Sequence, residues 1–92
     1  MRTDEDKLPS GDVIRDLRKE RGLNKSQLAR GAGITLGALW KYENGRVEPG
    51  RAMVRRLAEG LGMDPVELER SISAAQRDGE ALLAFWVAHR EV

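Results

Sequence analysis

The stretch Asn24–Gly45, NKSQLARGAGITLGALWKYENG, leaves a chain of this length little choice of fold. Asn24 with Gln27 three residues on is a variant of the capping box, in which the Asn side chain caps a first helical turn and the Gln side chain reaches back to it. A second natural N-cap follows at Thr35. Between the two, Gly33 supplies a tight turn and Ile34 an apolar plug beneath it. The first of these helices, Lys25 to about Gly31, turns Leu28 and Ala29 inward with Ala32 just beyond, a face small enough to admit another helix closely. The second, Leu36 to Glu43, is ended by Gly45. Its inward stripe is Leu39 and Tyr42 with Ile34, which leaves Leu36, Gly37, Trp40 and Lys41 facing outward.

The flanks read as helices as well. Ser10 can cap a first helix from Gly11 to Arg21, with Val13, Ile14 and Leu17 at helical spacing, Gly22 as its left-handed stop and Leu23 packing inward. After Arg46-Val47-Glu48, Pro49 takes the first position of a fourth helix running to Leu61, with Val54, Leu57, Ala58 and Leu61 inside. Asp64-Pro65-Val66-Glu67 combines an Asp cap, Pro at the first helical position and Glu at the third, so a fifth helix runs through Leu68 to about Ile72. Residues 1–9 are expected to be a disordered arm, 10–72 the folded domain and 73–92 a helical extension. Within that extension Ser73 to Gln76 can begin a sixth helix, and Asp78-Gly79 can interrupt it.

ALLAFWVAH, from Ala81 to His89, is apolar nearly all round, and a helix of that kind wants two partners. One is the domain's own core; the other is the same helix in a second subunit, with Leu82, Leu83, Phe85 and Trp86 as the candidate dimer interface. The alternative is that Phe85 and Trp86 complete a monomeric core that is otherwise too small. No β-patterned run and no internal repeat competes with an all-α reading.

Composition removes several classes of function. With no cysteine and a single histidine, His89, the chain has no disulfide framework or thiolate metal site, and little for a zinc or triad arrangement; no metal and no cofactor is expected. An acidic N-terminus without an apolar core, and no apolar run near the roughly 20 residues that span a bilayer, give the expectation of a soluble cytoplasmic protein. There is no paired nucleophile and base and no phosphate-cradling glycine loop with a lysine, so an enzyme is not expected. Net charge is only +1, but its distribution is uneven. From Arg15 to Arg56 eleven Lys and Arg face four Asp and Glu, which is +7, while residues 1–14 carry −2 and residues 57–92 carry −4. A middle so charged favours a polyanionic partner over a merely solvated surface.

Two short helices joined by a glycine-containing turn are the helix-turn-helix pattern. Through IRDLRKERGLNKSQLARGAGIT, the YENG that ends the third helix, Pro49 and LAEGLGMDPVEL, the chain resembles the lambda-repressor-like, Cro-type (XRE) helix-turn-helix domains over roughly Val13 to Ile72. The resemblance implies a five-helix all-α domain, here with an additional C-terminal helix, whose third helix (36–43) lies in the major groove of double-stranded DNA. It also implies a transcriptional regulator, in particular a repressor that binds a pseudo-palindromic operator as a homodimer.

Carried over by position, the base-facing residues are Thr35, Leu36, Gly37 and Lys41, with Trp40 at the margin. Lys41 can donate to guanine O6 or N7, Leu36 can touch a thymine methyl, and Gly37 lets the backbone approach. Family members commonly place Gln, Arg, Ser or Asn at these sites, so base reading here leans on Lys41, on apolar contact and on DNA shape. Phosphate-binding candidates are Asn24, Lys25 and Ser26 at the start of the second helix, Asn44 and Arg46 after the third, and Arg51 and Arg55 on the fourth. Arg18 and Glu43 match a pair that the family uses structurally, holding the third helix to the first. A competing reading keeps the fold and makes it an antitoxin or adaptor, with Leu36, Trp40 and the apolar tail binding a partner protein.

Overall fold

The structure, a computed structural model, describes residues 7–89, with side chains through Arg77. Among these residues the chain forms α1 Pro9–Glu20, α2 Lys25–Ala32, α3 Leu36–Glu43, α4 Arg51–Leu61 and α5 Pro65–His89, with no strand.

Local chemistry accounts for the α2–α3 unit. Both halves of the capping box form: the Asn24 side-chain oxygen accepts from the Gln27 N–H at 2.7 Å, and the Asn24 N–H donates to Gln27 Oε1 at 2.8 Å. Gly33 ends α2 at φ 71°, a left-handed conformation that costs a side-chain-bearing residue about 1 kcal/mol or more. The Ile34 N–H then returns to the Ala29 carbonyl at 3.0 Å, and Thr35 Oγ1 accepts from the Ala38 N–H at 3.0 Å to start α3. The connection is three residues long and hydrogen-bonded to the helices on both sides, which sets how α3 leaves α2.

Each helix sends one large, fully buried aliphatic side chain to a common core: Ile14, Leu28, Leu39, Leu57 and Leu68. Ala29, Ala32, Val54, Ala58, Leu61 and Ile72 complete the buried set, with Leu17, Leu23, Ile34 and Tyr42 partly buried against it. α2 packs against α4, and α1 against α3 and α5. The α2–α4 approach is close because two glycines face one another. A Cβ on Gly31 would lie 2.9 Å from the Gly60 Cα, and one on Gly60 would lie 2.9 Å from the Ala32 backbone nitrogen.

Three boundaries differ from those expected of the sequence. Pro9, assigned to the N-terminal arm, opens α1 with Leu8 as its cap, and the Leu8 N–H donates to the Gly45 carbonyl at 3.1 Å. Ser10 therefore lies inside the helix instead of capping it, fully buried, its hydroxyl donating to Glu48 Oε1 at 3.1 Å. Pro49 is buried just ahead of α4, and Gly50, extended at ψ 177°, is the N-cap, because the first helical bond runs from the Val54 N–H to the Gly50 carbonyl. The fifth helix does not stop near Ile72; the extension continues it to His89 straight through Asp78-Gly79. One glycine inside a helix costs only about 1 kcal/mol, too little to break a segment whose earlier turns are anchored in the core by Leu68 and Ile72.

Candidate nucleic-acid interface

The orientation of α3 is fixed from its C-terminal end. Arg18 on α1 meets Glu43 in a bidentate pair, Nε to Oε2 at 2.6 Å and Nη2 to Oε1 at 3.1 Å, while its Nη1 donates to the Leu23 carbonyl at 3.0 Å. Both residues are buried, Arg18 at 7% and Glu43 at 2% of their surface. Removing two charges from water is costly, and paired geometry of this quality offsets the cost. The pair ties the end of α3 to α1 and to the turn entering α2.

With its inner face so held, α3 presents an outer face containing Thr35, Leu36, Gly37, Trp40 and Lys41, all exposed. The structure brings together all five residues singled out in sequence as base-facing. Leu36 retains 51% of its surface and Trp40 44%, so the face is as apolar as its sequence suggested. Beside it lies an open groove of about 470 Å³ lined by Thr35, Gly37, Ala38, Lys41, Tyr42 and Val47. Tyr42, expected to be core, is half-buried and forms one wall of this groove.

The polar candidates stand around that face with different degrees of commitment. Lys25 and Ser26 are exposed in the first turn of α2, where free backbone N–H groups and the helix dipole favour an anion. Asn24 uses its side-chain oxygen in the capping box and keeps its amide N–H groups as donors. Asn44 donates from Nδ2 to the Trp40 carbonyl at 2.8 Å, which commits one of its donors to closing α3. Arg46 lays its guanidinium over the Trp40 ring, 5.2 Å from the ring centroid. Arg51 and Arg55 are exposed, one turn apart on the same face of α4.

Two residues that hold this arrangement were not singled out in sequence. Arg56 reaches from α4 to the Gly33 carbonyl, Nη1 to oxygen 3.4 Å, and so grips the turn between α2 and α3. Glu48 accepts from Ser10 through Oε1 and from Gln76 Nε2 through Oε2 at 2.9 Å, joining the loop after α3 to α1 and α5. Neither contact has a local signature, because the partners are 23 to 38 residues apart. Among the described residues no group of His, Cys, Asp and Glu could hold a metal ion. No helix among them is long and apolar enough to cross a membrane. Leu82, Leu83, Phe85 and Trp86, the candidate dimer interface, lie outside the residues whose side chains are described.

Residues 11–70 match a family of helix-turn-helix domains. The chain belongs to that family. It is 36% identical over 55 residues to an uncharacterized HTH-type transcriptional regulator of Methanothermobacter thermautotrophicus, a match spanning 60% of this chain and 80% of that one. It is 40% identical over 55 residues to the cryptic phage CTXphi transcriptional repressor RstR of Vibrio cholerae, across 60% of this chain and 50% of the repressor. The chain thus spans half the length of that repressor, and 28% of the mycobacterial regulators it also matches. Its fold superposes on the restriction-modification controller protein C.AhdI of Aeromonas hydrophila with a TM-score of 0.62 at 28% identity, covering 66% of this chain and 92% of the controller. These relatives are named as transcriptional regulators, a transcriptional repressor and a controller protein, which are not enzyme classes.

Proposed function

We propose that this helix-turn-helix protein is a sequence-specific repressor that binds a pseudo-palindromic operator as a homodimer, with α3 in the major groove. The observation that carries the reading is the outer face of α3, exposed as one surface while the buried Arg18–Glu43 pair holds its inner side. On this reading Lys41 donates to guanine O6 or N7, Leu36 packs on a thymine methyl, and Thr35 and the open backbone at Gly37 let the helix sit close to the base edges. Asn24, Lys25 and Ser26 hold one phosphate at the start of α2. Asn44 and Arg46 hold another beyond α3, and Arg51 and Arg55 a third on α4. The +7 segment between Arg15 and Arg56 supports the same partner, since it contains every one of these cations.

The test is a titration against operator-like duplexes selected from a random pool and against random duplexes, at about 50 and about 200 mM salt. With three phosphates held per half-site, about six in the dimer, affinity should fall by about three decades across that range. Lys41→Ala should relax sequence preference, whereas Lys25→Ala should weaken selected and random duplexes alike. The absence of salt-sensitive binding to either duplex would rule the reading out. Equal losses of specificity from the two variants would overturn the division of roles.

A further inference from the structure

We infer that Trp40 is a positioning residue and not a base reader: its indole holds the Arg46 guanidinium as a preset phosphate donor at the end of α3. The inference rests on the DNA-binding reading above and assigns one of its residues a different task. Arg46 is anchored at both ends. Its N–H donates to the Lys41 carbonyl at 2.9 Å, in a turn closed by the Gly45 N–H on the Tyr42 carbonyl at 3.2 Å. At the other end its guanidinium carbon stands 5.2 Å from the Trp40 ring centroid, within the distance at which a cation is attracted to an indole face. The main chain that carries the ring is closed by Asn44, whose Nδ2 donates to the Trp40 carbonyl at 2.8 Å.

The chemistry of the pair explains what this arrangement is good for. A guanidinium keeps all its N–H donors in its own plane, so stacking occupies its face and leaves the donor edge free for a phosphate. An arginine otherwise loses much rotamer freedom when it binds an anion; one already laid on a ring loses less. Trp40 and Lys41 are adjacent and so project about 100° apart around the helix. A base-reading Lys41 therefore does not require Trp40 to face the same base pair. The partly exposed indole, unexpected on a reading helix, is accounted for as the support of a backbone contact.

Phosphate contacts are insensitive to sequence, so the probe is a random-sequence duplex of about 20 base pairs, titrated with the full chain and with Trp40→Ala, Arg46→Ala, the double variant and Trp40→Phe. Arg46→Ala should weaken binding about three- to fivefold per bound subunit and lower the salt slope by about 0.9 per subunit. Trp40→Ala should cost a similar factor, the double variant should bind no worse than Arg46→Ala, and Trp40→Phe should recover most of the loss. Without DNA, Arg46→Ala should move the indole N–H resonance of Trp40, assigned by its disappearance in Trp40→Phe. Losses that multiply in the double variant, an unmoved indole resonance, or a Trp40→Ala that alters only preference among sequences would each overturn the inference alone. A wild-type chain that binds no duplex, with the indole resonance still moved by Arg46→Ala, would instead overturn the DNA-binding reading.

Discussion

Glu43 is where a single residue carries the most. It has 2% of its surface exposed, lies at the last turn of α3, and has both carboxylate oxygens engaged by Arg18. Glu43→Ala leaves a buried guanidinium without its counter-charge and should cost about 3–5 kcal/mol, read as a lower urea midpoint. Arg18→Ala should cost a similar amount, because it strands the carboxylate and also removes the donor to the Leu23 carbonyl. Replacing both together, Arg18→Met with Glu43→Leu, should cost less than the two single losses combined, since no charge is left buried alone. Additive losses would mean that the two residues act separately.

At the scale of elements, the closeness of helices decides which glycines matter. Gly60 sits where α4 meets α2, and a Cβ there would come within 2.8 Å of Leu28 Cδ1, 2.9 Å of the Ala32 nitrogen and 3.0 Å of the Leu28 carbonyl oxygen. Two of those neighbours are backbone and can move only if the helices separate. Gly60→Ala should therefore destabilise by about 1–3 kcal/mol through overpacking, although alanine is the better helix former by about 1 kcal/mol. Gly37 is the internal control: it is helical and nothing lies within 4 Å of an added Cβ. Gly37→Ala should raise stability by up to about 1 kcal/mol while placing a methyl on the face proposed to meet DNA. Paired thermal melts of the two variants check both signs, and equal melting temperatures would contradict the close-packing account.

For the whole molecule, the division is between a basic body and an apolar end. α5 begins in the core at Leu68 and Ile72 and continues as one helix to His89, through the sequence ALLAFWVAH. The helix is unbroken at Asp78-Gly79, so the apolar segment proposed to dimerise continues the same helix that starts in the core. Removing residues 80–92 should convert the proposed dimer to a monomer and weaken binding to a two-half-site duplex far more than to a single half-site. Light scattering checks the first expectation, and an unchanged mass would place the dimer contact elsewhere.

Much of this was determined by sequence alone wherever the governing chemistry is local. The capping box at Asn24 and Gln27, the tight turn at Gly33 and the cap at Thr35 each involve partners within a few residues, so they can be read directly and are found where expected. Helical periodicity likewise placed Ile14, Leu28, Leu39 and Leu57 inside and Leu36, Gly37, Trp40 and Lys41 outside. The Arg18–Glu43 pair was legible only through family resemblance, since nothing local joins positions 25 apart. Tertiary structure alone decided the rest. Ser10 looked like a cap, but its hydroxyl is taken by Glu48, and Pro49 looked like a helix start, but Gly50 takes the cap. The Gly31–Gly60 contact, the grip of Arg56 on Gly33 and the fate of Arg46 on Trp40 are likewise outcomes of assembly. Local hydrogen bonds form between groups the chain already holds together; these contacts exist only after distant segments have packed, and only that packing specifies them.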